Sequence, residues 1–252
     1  MPTAYSARRL ISAIKRDVND GTIQSPIEIY PYDCSPGPRG GKGHRLLRFT
    51  PEENREFADL IRENDLWVSL RMTYQMNAAK SRMAKVVMRQ VLDMLDWAQY
   101  LGVRAVLMDA GRNDNPMEAM ETLQTLATVV SKKKYVPWFL LINMRGNAGC
   151  VGSIPLLLKE ITAYGKTGVC VDLYNLVHFC GGLDEACAVM QSIKDPESRR
   201  LIACRTNTIG HATGSPLTPL EGERIMQSFG GAPLKRISLS YRATSGKPKQ
   251  IV

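Results

Sequence analysis

Residues 168–175 read GVCVDLYN, and the pair Gly181-Gly182 follows shortly after. The Gly-Val-Cys-Val core is short, apolar and rich in β-branched side chains, which suits a strand buried on both faces. It ends in Asp172, which therefore stands at a strand's C-terminal end. Parallel α/β barrels gather their chemistry at that end, where the βα loops converge, while the opposite face serves stability. On a barrel, Asp172 points into the pocket.

Working outward, helical and strand patterns alternate. RRLISAIKRDV, within residues 1–22, places apolar positions at helical spacing, and 27–32 (IEIYPY) reads as a strand interrupted by Pro31. Residues 33–48 are rich in glycine, proline and basic side chains, which predicts a flexible basic loop on the pocket face. Thr50-Pro51-Glu52-Glu53 is a helix start, with Thr50 as N-cap and Pro51 at the first helical position, and the helix runs to about Asn64. Strands are predicted at 66–70, 103–108, 136–142, 168–172, 200–204 and 236–240. Helices are predicted between them: one over MAKVVMRQVLDMLDWAQYLGV stopped by Gly102, then 116–131, 154–164, 184–193 and 218–229. This alternation implies a parallel sheet with right-handed crossovers. At 252 residues it predicts an α/β fold, a (β/α)8 TIM barrel forming one domain over 1–252, with a mobile tail at 243–252. No repeat of solenoid period is found.

The composition, 44% hydrophobic and 23% charged, allows a full core. No run of about 18 apolar residues is present, and the start MPTAYSARRL lacks the apolar stretch of a signal peptide. The expectation is a soluble, intracellular protein without a membrane span. Cys34, Cys150, Cys170, Cys180, Cys187 and Cys204 show no CxxC spacing and read as reduced structural thiols. Lysine and arginine number 33 against 24 acids, a net charge of +9, which favours a polyanion or an acidic protein surface as partner. Gly40-Gly41 and Gly181-Gly182 build neither GxGxxG nor a phosphate loop. Of His44, His178 and His211, only His178 follows the Asp172 strand closely, and a lone histidine there reads as hydrogen-bonded core. Lys132-Lys133-Lys134 reads as a solvated helix end.

The succession LWVSLRMTYQMN, a long helix ending in LGV, AVLMDAGR, FLLINMRGNAG and GVCVDLYN resembles the endonuclease IV family of apurinic/apyrimidinic endonucleases, within the xylose isomerase-like barrels. The likeness covers about residues 26–242, and its most specific parts are GVCVD and Asn143 with Gly146. Members of that family bind three zinc ions through His, Asp and Glu at strand ends, to activate water and neutralise the phosphate being cut. Carried over residue by residue, the resemblance implies Arg71 in place of one histidine and Asp109 in place of the next. Ile142 replaces the bridging glutamate ahead of Asn143. Asp172 is retained, but the histidine three residues later is Asn175. The following strand has Ala203 or Cys204 at its histidine position, and Ser240 replaces the closing glutamate. The Asp-x-His pair has no counterpart, since His211 lacks the aspartate two residues before it.

An isoleucine cannot ligate a metal and an arginine in the pocket opposes a cation, so the resemblance implies no catalytic residues and no bound metal. A single hard cation on Asp109 and Asp172 is the alternative; pairing of Arg71 with Asp109 or Asp172 in the old metal cavity is the favoured reading. The family's pocket-mouth loops carry an arginine and a tyrosine that enter the minor groove, and Arg39 and Tyr74 match those positions. Lys42, Arg45 and Arg112 complete the candidate DNA-contacting set. Two functions follow. The first is a catalytically degenerate barrel that binds double-stranded DNA or other subunits of an assembly, such as a virion, and needs no cofactor. The second is a surviving enzyme, either an endonuclease or phosphodiesterase with a reduced site for zinc or another divalent cation, or a sugar isomerase-like activity sharing the barrel.

Overall fold

A computed structural model describes residues 6–23, 26–33, 45–73, 76–145, 151–162, 164–194, 202–205, 217–229, 235–237 and 239–242. Ten strands and eight α-helices are found among these residues. The strands are β1 (Ile27–Tyr30), β2 (Tyr32–Asp33), β3 (Arg45–Leu46), β4 (Val68–Arg71), β5 (Ala105–Asp109), β6 (Trp138–Ile142), β7 (Thr167–Asp172), β8 (Ile202–Arg205), β9 (Lys235–Ile237) and β10 (Leu239–Arg242). The helices are α1 (Ala7–Asn19), α2 (Pro51–Glu63), α3 (Ala84–Leu101), α4 (Pro116–Lys132), α5 (Ile154–Ile161), α6 (Leu173–Cys180), α7 (Leu183–Ser192) and α8 (Pro219–Ser228).

Eight strands form one sheet in the order β10-β1-β4-β5-β6-β7-β8-β9, and each pairing is parallel. The two ends of that order, β9 and β10, flank residue 238 in the chain. β9 pairs with β8 through Arg205↔Ile237, and β10 pairs with β1 through Glu28↔Ser240. The sheet thus returns to its starting strand, giving the α/β barrel of the TIM type. Two apolar cores result. Ala105, Leu107, Leu140, Ile142 and Cys170 fill the interior, with Trp67 and Trp138 packed against them. The larger core lies between strands and helices and includes Phe57, Leu95, Phe139 and Phe229.

Local chemistry sets the boundaries. Thr50 Oγ1 accepts the Glu53 N–H at 3.2 Å while the Glu53 carboxylate accepts the Thr50 N–H at 2.9 Å, a complete capping box. Thr218 and Glu221 repeat the arrangement at α8. Gly102, at φ 75°, ends α3 in the left-handed region, where a side chain would strain the backbone.

Two readings need correction. The region after Asp172 holds a helix, α6, which the sequence pattern does not announce: LYNLVHFC is short and apolar nearly throughout, so no helical period stands out. Within the expected loop 33–48, β3 pairs antiparallel with β2. Residues 34–44 and the tail 243–252 lie outside the described residues. No described helix is long and apolar enough to cross a membrane, and Cys170, Cys180 and Cys187 are free thiols.

Replacing Thr50 by alanine removes one half of the α2 capping box and is expected to lower stability by about 1 kcal/mol. Urea denaturation of T50A checks this; a midpoint equal to wild type would mean that the cap is not part of what holds α2.

Candidate functional site

Three strands end in polar residues at the same mouth of the barrel: β4 in Arg71, β5 in Asp109 and β7 in Asp172. Arg71 pairs in register with Leu107, and Asp109 lies two residues further along the same face of β5. Arg71 Nη2 donates to Asp109 Oδ1 at 2.7 Å, with the two side chains only 11% and 8% exposed. Glu28, in the middle of β1, is fully buried nearby. Burial alone would lower the Arg71 pKa, but the charges of Asp109, Glu28 and Asp172 outweigh it and push it above the usual guanidinium value. Arg71 is therefore a fixed positive charge inside the mouth, held by surrounding carboxylates.

Glu28 was not singled out by the sequence reading. A signal did exist, since an acid between two isoleucines of a strand buried on both faces needs a partner inside the barrel.

A second network ties β6 to β7. The Asp172 N–H donates to Asn143 Oδ1 at 2.6 Å, and Asn143 Nδ2 donates to the Asp172 carbonyl at 3.3 Å. Asn175 Nδ2 donates to the Asn143 carbonyl at 2.8 Å, and the Asn175 N–H donates to Asp172 Oδ1 at 3.0 Å. Asp172 is thus the N-cap of α6 as well as the last residue of β7. This gives its carboxylate a structural task at the position expected to face the pocket. Ile142, fully buried, belongs to the interior apolar cluster.

The loops after β4 and β5 are clamped together at the mouth. Asn77 Nδ2 donates to the Arg112 carbonyl at 2.7 Å, and the Arg112 N–H donates to Asn77 Oδ1 at 2.9 Å. The chain passes so close here that a Cβ on Gly111, at φ 96°, would come within 2.3 Å of Asn77 Oδ1. Arg112 itself is exposed. Arg145 lies over the Tyr174 ring, 5.4 Å from its centroid. His178 is a correction: it is exposed on α6, its ring 4.4 Å from that of Tyr174, because the first turn of α6 and not its end is buried.

Arg45 lies in β3 and Ser240 in β10, where Ser240 is in register with Glu28. In β8, Ala203 is in register with Cys170 and Arg205 with Asp172, a second arginine on the sheet that the sequence reading did not consider. Arg39, Lys42, His44, Tyr74, Gly146, Cys150 and His211 lie outside the described residues. Among the described residues no three His, Cys, Asp or Glu side chains stand close enough to hold a metal ion.

With that geometry in place, known structures give the fold. Endonuclease IV from Thermus thermophilus superposes with a TM-score of 0.66 at 17% identity, over 90% of this chain and 86% of that one. The chain has an endonuclease IV-like barrel fold. A D-tagatose 3-epimerase-like protein superposes at 0.59 with 14% identity, over 91% of this chain and 88% of that one. A sugar phosphate isomerase/epimerase from Parabacteroides distasonis superposes at 0.58 with 13% identity, over 90% and 79% of the respective chains. No protein-family model and no curated protein matches the sequence. Identities this low establish the barrel fold, not a shared reaction.

The Arg71–Asp109 pair can be tested by a double-mutant cycle. Either R71M or D109L alone leaves a buried charge without its partner and should cost about 3–5 kcal/mol, whereas R71M/D109L should recover only part of that loss, because Glu28 and Asp172 still lose the Arg71 charge. Chemical denaturation of the four proteins measures it; additive single effects would show that the two charges are not coupled.

Proposed function

We propose that this chain is an endonuclease IV-like barrel that works without a trinuclear zinc site, as a binding or structural protein. The observation that carries the reading is the buried ion pair between Arg71 and Asp109 at the barrel mouth. Zinc takes nitrogen, sulfur and carboxylate donors. Here Arg71 brings a positive charge to a position where the family resemblance has a ligand, and Ile142 has no donor atom. Asn175 gives its Nδ2 to the Asn143 carbonyl. Asp172 divides its carboxylate between capping α6 and balancing Arg71. These residues do not fit a three-zinc centre, and no reaction step is assigned to one.

What remains is a barrel with a net charge of +9. Such a charge supports association with double-stranded DNA or with acidic faces of other subunits, as in a virion or another assembly. A preserved barrel whose mouth is closed by its own ion pair suits a part that binds and holds better than one that turns over substrate.

Metal content of the purified protein, measured by mass spectrometry, together with nicking of a duplex containing an abasic site, tests the proposal. The expected result is zinc well below one per chain and no nicking. Two or more tightly held zinc ions together with cutting would overturn it.

A further inference from the structure

We propose that the base of the barrel, opposite the mouth, is a docking surface for single-stranded nucleic acid. The inference rests on the reading of the chain as a binding protein, and it names the surface and the partner.

The base is the end where the strands begin and the helices finish. Arg104 precedes β5, Lys132, Lys133 and Lys134 lie at the end of α4 ahead of β6, Lys166 precedes β7, and Lys194 follows α7 ahead of β8. All six are exposed. The strands they precede are consecutive neighbours in the sheet, so the six bases line one continuous arc of the rim. Among the described residues none of the six takes part in an ion pair.

A helix dipole explains part of this arrangement and not all of it. Lysines at the end of α4 are favoured there, because helix C-termini carry partial negative charge. Arg104 and Lys166 stand at strand starts, three residues past the end of α3 and five past the end of α5, where that field has weakened. The Arg104 carbonyl accepts the Trp138 N–H at 2.9 Å, and the Lys166 carbonyl accepts the Phe139 N–H at 2.9 Å. The two bases therefore flank Trp138 on the neighbouring strands. Lys166 Nζ also donates to the Val136 carbonyl at 2.8 Å, which fixes the ammonium at the rim.

Inside that arc is a cleft of about 440 Å³, lined by Trp67, Trp138, Val136, Arg104 and Lys166, with Asp65 as its carboxylate. Trp67 and Trp138 are half-buried and form the floor of the barrel interior. Nearby Asp96 is engaged by Tyr135, whose hydroxyl pKa is pushed up to about 12, by burial first and then by that carboxylate. The rim thus combines a run of positive charge with a largely polar hollow whose lining includes two half-buried tryptophans. Proteins that bind single strands use this combination, with cations tracking the phosphates and aromatic side chains receiving bases. A duplex hides its bases and would meet only the charges, and an acidic protein would leave the two tryptophans without a use.

The test uses the full chain, a fluorescein-labelled oligo-dT and the matching oligo-dT/oligo-dA duplex. Anisotropy titrations are run at two salt concentrations, with tryptophan fluorescence followed in parallel. The expected result is tighter binding of the single strand, quenching of tryptophan emission, and an affinity that falls steeply with salt. K132E/K133E/K134E and R104E/K166E should each weaken binding by about tenfold or more and flatten the salt slope. Arg89→Glu, on the exposed face of α3, should bind as wild type. Circular dichroism melts confirm that the variants fold. Equal binding by the base variants and wild type would overturn this inference, and a loss confined to R112E would place the nucleic acid at the mouth, leaving the binding-protein reading intact. Preference for the duplex, or binding of polyglutamate in place of the oligonucleotide, would also overturn it. Zinc-dependent cutting, by contrast, is the failure of the earlier reading and is scored in a separate assay.

Discussion

Closing a parallel sheet into a barrel buries both faces of its strands, so any charge placed inside must find its counter-charge inside. This constraint governs the mouth of the present barrel. Glu28, Asp109 and Asp172 bring negative charge to the pocket from three strands, and Arg71 brings the positive charge that holds them. A metal centre would meet the same electrostatic demand with cations from solution. Here a side chain of the chain itself meets part of it, and that part is built in when the barrel folds.

The second consequence concerns how polar positions acquire structural work. Asn143 and Asp172 exchange hydrogen bonds in both directions across β6 and β7, and Asn175 ties the first turn of α6 back to Asn143. Such a network is stable only when each member is satisfied, because an unpaired polar group in a low-dielectric site is costly. Side chains committed in this way are poorly placed to change partners during a reaction. The mouth is therefore held by its own hydrogen bonds and ion pair, which suits recognition or assembly.

The two ends of the barrel divide the charge differently. At the mouth, Arg71 and Asp109 are buried and paired. At the base, lysines and Arg104 stand exposed around two half-buried tryptophans. Exposed charges act on partners over roughly a Debye length, whereas a buried pair largely cancels its own field.

Much of the fold was legible in the sequence. GVCVD announced a buried strand with an aspartate at its end, Thr50-Pro51 and Thr218 announced helix starts, Gly102 a helix stop, and the alternation of strand and helix announced the barrel. These signals are local: a cap, a left-handed glycine or a β-branched run acts through near neighbours in the chain. Helix α6 was not legible, because an eight-residue apolar segment carries no period and depends on Asp172 and Asn143 to start it. Nor could the sequence decide that Arg71 bonds Asp109, that Glu28 acts on the same guanidinium, or that Arg104 and Lys166 flank Trp138. Those pairings join residues about 30 to 40 or more positions apart. They are set by strand order and register in the closed sheet, so only the tertiary structure could decide them.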